Sequence, residues 1–415
     1  MKNALLALLL FSSMSVASWT VLTTDFSPLL DKAGTLVGSV FFADSVTEKS
    51  LKKTYAEATT ETKKKHADAK IRILIVPGHD AEFSGTAYRG VSEHTLTVEL
   101  GGYLFGLLKK EPSFEVTLSQ TKEGYDPVFT SYFADKRAHI LAFVARQKGL
   151  MEHFVSTGEI ERVVNVEHNA APSEAALRLY GINRWANQND MDIVIHIHFN
   201  DYPGRKNNTP GKYSGFAIYI PERQYSNAKG SKSVARSIHR RVATLYPQSD
   251  LPKENAGLVE DQELIALGSN NTLDGAGMLI EYGYIYEPAF ADPDMRTIVL
   301  EDLALQTYLG VMDFFEEKET NADGQYQTRL VPYAWGRDLE EGADAKRDIV
   351  SLQAALTLAG VYPPPGKSKN DCGLTGFFGP CTAESVRMFQ QKYGIAPAEG
   401  FVGEKTRLKL RELYE

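Results

Sequence analysis

Hydrophobic residues along this chain fall into short dense runs closed by polar or glycine-bearing turns, with helical stripes between them. The run Ile71-Arg72-Ile73-Leu74-Ile75-Val76 is rich in β-branched residues and stops at Pro77-Gly78, which predicts a buried strand with a turn behind it. From Ser92 onward, Leu96, Leu100, Leu104 and Leu107 lie on one stripe of a helix. Further strands are predicted at 114–118, 192–198, 215–220 and 277–281, with helical stretches between them, notably from Ser233 to Tyr246. Strands alternating with helices predict an α/β domain over residues 71–317, built on a mixed, largely parallel sheet flanked by helices.

Other stretches break this rhythm. Residues 18–70 read as an N-terminal extension, in which Ser50 to Lys70, rich in Lys, Thr, Glu and Ala, is a solvated helix or linker. Between about residues 132 and 173 a helical insert, marked by Ile140, Phe143, Val144 and Met151, interrupts the alternation. Residues 318–345 are polar and aperiodic and read as a linker between domains. The tail, 346–415, holds an internal echo: Gly376-Phe377-Phe378-Gly379-Pro380-Cys381-Thr382 is answered by Gly400-Phe401-Val402-Gly403-Glu404-Lys405-Thr406. Each copy predicts a glycine-flanked turn with an aromatic plug and a threonine capping the next helix. With Ile349, Leu352 and Leu356 on one helix, Val386, Phe389 and Tyr393 on a second, and Leu408 and Leu410 on a third, the tail is expected to be a small three-helix domain.

Composition narrows the class. A chain of 415 residues with 43% hydrophobic and 24% charged residues has ample length for a buried core. Its formal net charge of -8 argues against a general nucleic-acid binder, which needs a basic face to meet phosphates. Lys2, the apolar stretch from Ala4 to Phe11, and Ser15-Val16-Ala17 together read as a signal peptide over residues 1–17. That run is shorter than the roughly 20 apolar residues a membrane span requires. The expectation is therefore an exported protein, periplasmic or extracellular at the cell wall, without a stable membrane span. Cys372 and Cys381 cannot by themselves complete a four-cysteine zinc site, and in an oxidising compartment they are expected to pair.

Four positions place a polar group at the end of a buried element. His79 follows the first strand, where open α/β sheets gather their ligand sites. Glu93 lies three residues before Leu96 and seven before Leu100, so it projects from the apolar face of its own helix. A carboxylate there is costly to desolvate unless paired or bound to a metal, although the helix dipole favours it. His94 is rotated away from that face. His198 ends the third strand, with His196 on the same side, and Asn200 and Asp201 follow as groups able to orient an imidazole. Glu281 closes an apolar run that offers no packing reason for an acid. As a set, two histidines and a carboxylate make up the protein ligands of a catalytic zinc site with its fourth position open, and a further glutamate moves the proton. Neither a glycine-rich phosphate loop nor a serine nucleophile elbow is present.

The order of these motifs resembles the zinc-dependent N-acetylmuramoyl-L-alanine amidases of the type 3 cell-wall hydrolases. It runs through Val76-Pro77-Gly78-His79, Gly85, Gly90-Val91-Ser92-Glu93, Ala186-Asn187, Asp192, Ile197-His198-Phe199-Asn200 and Met278-Leu279-Ile280-Glu281-Tyr282-Gly283. The resemblance implies Zn2+ held by His79, Glu93 and His198, catalysis by Glu281, and cleavage of the amide between N-acetylmuramic acid and L-alanine in peptidoglycan. The tail resembles the peptidoglycan-binding domain that accompanies such enzymes. This chain departs from the family pattern at Asp80-Ala81-Glu82, where a glycine pair is usual. It departs again at His94 in place of lysine, at Phe199 in place of a small residue, and at His196 in place of serine. Two other readings remain: a different zinc peptidase or metallohydrolase of the wall built on His196-x-His198, and a non-catalytic peptidoglycan-binding protein. The insert is expected to gate the cleft or to dock a protein activator.

Overall fold

The structure is a computed structural model that describes residues 45–59, 70–163, 171–202, 204–268, 275–317 and 326–414. The expected signal peptide lies outside these residues. After helix α1 (Glu48–Thr59) the chain forms β1 (Ile71–Pro77), the short pair β2 (Ala87–Tyr88) and β3 (Val91–Ser92), α2 (Glu93–Leu108) and β4 (Phe114–Leu118). A second short pair, β5 (Gln120–Thr121) and β6 (Gly124–Tyr125), leads into α3 (Pro127–Asp135), α4 (Arg137–Thr157) and α5 (Ser173–Gln188). Then come β7 (Ile193–Asn200), β8 (Ala217–Pro221), α6 (Ala228–Leu245), β9 (Leu258–Asp261), β10 (Ala276–Tyr284), α7 (Pro288–Ala291) and α8 (Pro293–Glu316). Helices α9 (Lys346–Leu358), α10 (Pro380–Lys392) and α11 (Glu404–Tyr414) form the tail. None of the described helices is long and apolar enough to cross a membrane.

The central sheet has six strands in the order β4-β1-β7-β10-β8-β9. The strands from β4 to β10 run parallel, so the carboxyl ends of β1, β7 and β10 come together at one edge of the domain. β8 is antiparallel to β10, and β9 follows β8, which makes the sheet mixed. Alternation along β1 sends Ile71, Ile73 and Ile75 into the core under α2, α6 and α8, and Leu74 and Val76 into a second core with Phe129, Ile182 and Ala186. Both faces are thus covered, which is why these strands read as nearly unbroken apolar runs.

Several expectations need correction. Helix α1 is solvated along most of its surface but docks one side: Leu51 is buried and Tyr55 stacks on Phe315 at 4.6 Å. Its polar residues conceal an apolar stripe only a helical turn wide. The insert begins earlier than its hydrophobic stripe suggested, because Asp126 caps α3 and Pro127 opens it. Residues 326–345 are not a free linker. Leu330, Trp335 and Leu339 are buried, and Leu339 forms a bridge with Val402 inside the tail core.

In the tail Cys372 and Cys381 form a disulfide. Leu410 is buried but Leu408 is exposed, because the last helix turns only one side to the core. Thr382 and Thr406 do not cap their helices. α10 starts at Pro380 behind Gly379, so Thr382 falls within its first turn. The two threonines instead accept from buried glutamines, Gln353 to Thr382 at 3.1 Å and Gln390 to Thr406 at 3.0 Å. The same glutamines accept from Gly376 N and Gly400 N, so the repeated turns are locked in the same way.

A Cβ added to Gly310 of α8 would lie 2.5 Å from Ile238 Cα of α6, so the two helices meet through backbone there. Gly310→Val is expected to lower stability by about 1–3 kcal/mol through overpacking. A urea-unfolding midpoint equal to the parent's would contradict that contact.

Candidate metal centre

The parallel strand ends decide where the chemistry can be. His79 leaves β1, His198 is near the end of β7, and Glu281 lies directly beside His198 in the β7–β10 register. Glu93, the first residue of α2, is 5% exposed and points back toward them. Ser92 caps this helix through Thr95 N, and the helix start places Glu93 at the positive end of its dipole.

Glu93 Oε2 lies 3.0 Å from His79 Nε2, and Glu93 Oε1 lies 3.1 Å from His198 Nδ1. Phe199 N donates to Oε1 at 3.1 Å and Thr86 N to Oε2 at 3.3 Å. One ligand atom from each of His79, Glu93 and His198 lies within 4.8 Å of the other two. The imidazole rings stand edge to face at 5.1 Å. Close approach leaves no room for side chains on the neighbouring glycines: a Cβ on Gly78 would sit 2.4 Å from the His198 ring, and one on Gly85 2.5 Å from Glu93 Oε2. His79 itself has φ of 64°, a left-handed backbone rare for a residue with a side chain.

Burial opposes the charge on Glu93, but its bonds to His198 and His79 outweigh it and hold the carboxyl well below the usual range. Burial also opposes protonation of His79, and the bond to Glu93 reverses that, so His79 is raised. His198 is lowered, because burial dominates there. A buried carboxylate bracketed by two imidazoles is a donor set suited to a divalent cation with nitrogen and oxygen preference.

Glu281 is different in kind. It is pushed well above the carboxylate range by burial, then by the charges of Glu93 and Glu254. Its Oε2 is buried and has no hydrogen-bond partner. With His79, Glu93 and His198 it lines an open cleft of about 940 Å³. Tyr219, Leu264, Ala266 and Leu279 form an apolar flank of that cleft, and Arg89, Asn207 and Asn208 a polar one. Ala171 and Pro172 at the end of the insert, and Ala175 and Leu179 of α5 behind it, reach the same cleft.

The remaining expectations divide. His196 is fully buried two residues before His198, its ring nitrogens have no partners, and it stands outside the ligand group. Burial, then the neighbouring His198, pushes it down to about 3. His94 is likewise outside the group. Asn200 and Asp201 do not serve an imidazole as expected: Asn200 donates to Glu254 at 2.8 Å, and Asp201 accepts from Arg205 at 2.5 Å. The departure at Asp80-Ala81-Glu82 acquires a physical reason that one-dimensional reading could not supply. Arg178 of α5 donates to Asp80 at 2.6 Å and to Glu82 at 2.5 Å, while Asp80 also accepts from Glu82 N and Phe83 N. α5, the helix that follows the insert, is thereby pinned to the loop that follows His79.

Fold and geometry define a mixed α/β domain with a candidate metal centre and a neighbouring half-buried acid at its strand ends. The N-acetylmuramoyl-L-alanine amidase family model matches residues 73–311, more than half of the chain, and the chain belongs to that family. A peptidoglycan binding domain model matches residues 346–410. N-acetylmuramoyl-L-alanine amidase CwlL of Bacillus licheniformis is 39% identical over 103 residues, covering 24% of this chain and 27% of the relative. The chain spans about a quarter of the length of the curated relatives it matches. An N-acetylmuramoyl-L-alanine amidase structure from Clostridium difficile 630 shares 16% identity at a TM-score of 0.36, covering 60% of this chain and 99% of that one. A Mycobacterium smegmatis amidase structure shares 15% identity at a TM-score of 0.37, covering 60% of this chain and 98% of that one.

Because Glu281 is raised in the folded state, the stability it contributes is complete below the ordinary carboxylate range and is lost as pH rises toward its folded pKa. In metal-free protein, Glu281→Gln is therefore expected to raise the thermal midpoint at about pH 8 and much less at about pH 4. Equal shifts at both pH values would contradict this environment.

Proposed function

We propose that this protein is a zinc-dependent N-acetylmuramoyl-L-alanine amidase that acts on peptidoglycan outside the cytoplasm, with residues 346–410 holding it on the wall. The observation that carries the reading is Glu281, a half-buried acid with a buried, unpartnered oxygen beside the His79–Glu93–His198 group in one cleft. His79, Glu93 and His198 would hold the ion. When bound, zinc supplies a Lewis acid that acidifies water and polarises a carbonyl. Glu281 takes the proton from the attacking water as its oxygen bonds to the lactyl carbonyl carbon. It returns that proton to the leaving nitrogen of L-alanine as the C–N bond breaks, so one water yields a carboxylic acid and an amine, which ionise to carboxylate and ammonium. The apolar flank excludes bulk water from this transfer, and the open polar side admits a polymer. Because Ala171 and Pro172 at the end of the insert line the cleft, a gate or activator acting through the insert has a direct route to the substrate.

The His196-x-His198 alternative lacks a third ligand at His196, whose nitrogens face no acid. Digestion of purified sacculi, followed by mass spectrometry of the released muropeptides, separates the readings. Free glycan strands and intact stem peptides beginning at L-alanine are expected, and chelator should abolish both. Glu281→Ala should lower the rate by about 10²–10⁴-fold while leaving zinc bound. Loss of zinc on His196→Ala but not on Glu93→Ala would instead install the alternative. Unchanged turnover by Glu281→Ala would identify a non-catalytic binding protein.

A further inference from the structure

The left-handed conformation of His79 has to be held in place, and buried side chains from outside the candidate centre hold it. Three successive carbonyls at the end of β1 point away from the sheet ladder, and each finds a buried donor. Gln120 Nε2 donates to Pro77 O at 2.6 Å and to His79 O at 2.5 Å. Thr97 Oγ1 donates to Gly78 O at 2.7 Å. Gln120 is 1% exposed and Thr97 fully buried, so water does not compete for these carbonyls.

Gln120 is itself fixed. Ser119 N, one residue before it, donates to Ile75 O of β1, and Gln120 pairs with Tyr125 in the short β5–β6 hairpin. Gly78 N donates to Ile197 O, which joins the same turn to β7 one residue before His198. Positive φ at a non-glycine residue persists where surrounding structure over-determines it. Here one amide spans both sides of the turn, and its two hydrogens satisfy two acceptors that would otherwise be orphaned. If the His79 peptide relaxes to an ordinary conformation, the imidazole swings away from Glu93, 3.0 Å distant.

We propose that Gln120 is the positioning residue for His79, holding its backbone turned so that the imidazole meets Glu93 and the metal. The inference rests on the metal-centre reading above and assigns a role to a side chain that touches neither metal nor substrate.

The test measures zinc affinity of the full chain by chelator competition, together with the visible spectrum of the Co2+-substituted protein. Gln120→Leu removes both donors, and Gln120→Glu keeps the shape while replacing the amide by acceptors. Both variants are expected to weaken zinc binding about 10- to 100-fold, the range for groups that orient metal ligands. Both should also shift the cobalt bands, which report ligand geometry. Thr97→Val is expected to do the same to a smaller degree.

A merely structural Gln120 would lower the thermal midpoint while leaving affinity and spectrum of the folded protein as in the parent, and that result overturns the proposal. If Gln120→Leu does not fold, Gln120→Glu decides. His79→Ala separates the two levels. If it keeps parental zinc affinity, the metal reading itself fails. If it loses zinc while the Gln120 variants keep it, only the positioning role fails.

Discussion

A carboxylate held in the dry interior between two imidazoles is the constraint to which the rest of this domain answers. Isolated, Glu93 would either take up a proton or open the site to water, since burying an unpaired charge is costly. It is instead stabilised by the α2 terminus, by two backbone N–H groups and by the two histidines. Those partners come from β1, from the loop before α2, and from β7, which are far apart in sequence. Parallel pairing of β1 with β7 is what brings them together, and the apolar faces of both strands drive that pairing. The same residues that make the core therefore bring the three candidate ligand atoms within 4.8 Å of one another.

Two glutamates beside one another show how environment separates structure from chemistry. Glu254 is fully buried and accepts from Tyr219 at 2.6 Å, Asn200 at 2.8 Å and Ser249 at 2.5 Å. Its oxygens are occupied, and it braces the cleft floor through Tyr219. Glu281, on β10 directly beside His198 of β7, keeps an oxygen without a partner. A satisfied acid holds the structure together; an unsatisfied one next to a candidate metal centre has capacity left to move a proton.

How much of this was legible in sequence follows from the range of each interaction. Glu93 could be picked out because its misplaced polarity is local, visible against Leu96 and Leu100 within two helical turns. His79, His198 and Glu281 were legible as strand-end residues, since strand runs announce their own ends. The reversed β8 was not, because orientation depends on which neighbour a strand chooses. Nor was Gln120, a polar residue between two short strands whose meaning lies in carbonyls more than forty positions earlier. The segment 326–345 looked like a linker because its buried residues, Leu330, Trp335 and Leu339, are spaced without helical or strand period. Leu330 joins the core of the α/β domain, and Trp335 and Leu339 fill the tail core, whose other residues mostly follow later in the chain.

The tail packs directly against the amidase-family domain. Lys369 is pushed below its usual range by burial and donates to Thr244 O at 2.6 Å, with a further bond to Ala243 O. Those carbonyls belong to the last turn of α6, where they have no donor partners within the helix and a cation is favoured. Asn370 adds bonds to Ser214 and to Gln248 O. Both residues sit just before Cys372, whose disulfide to Cys381 ties their loop to the start of α10. A loop stiffened at one end and buried at the other transmits orientation, so the tail sets the direction of the cleft as well as its distance from whatever the tail holds.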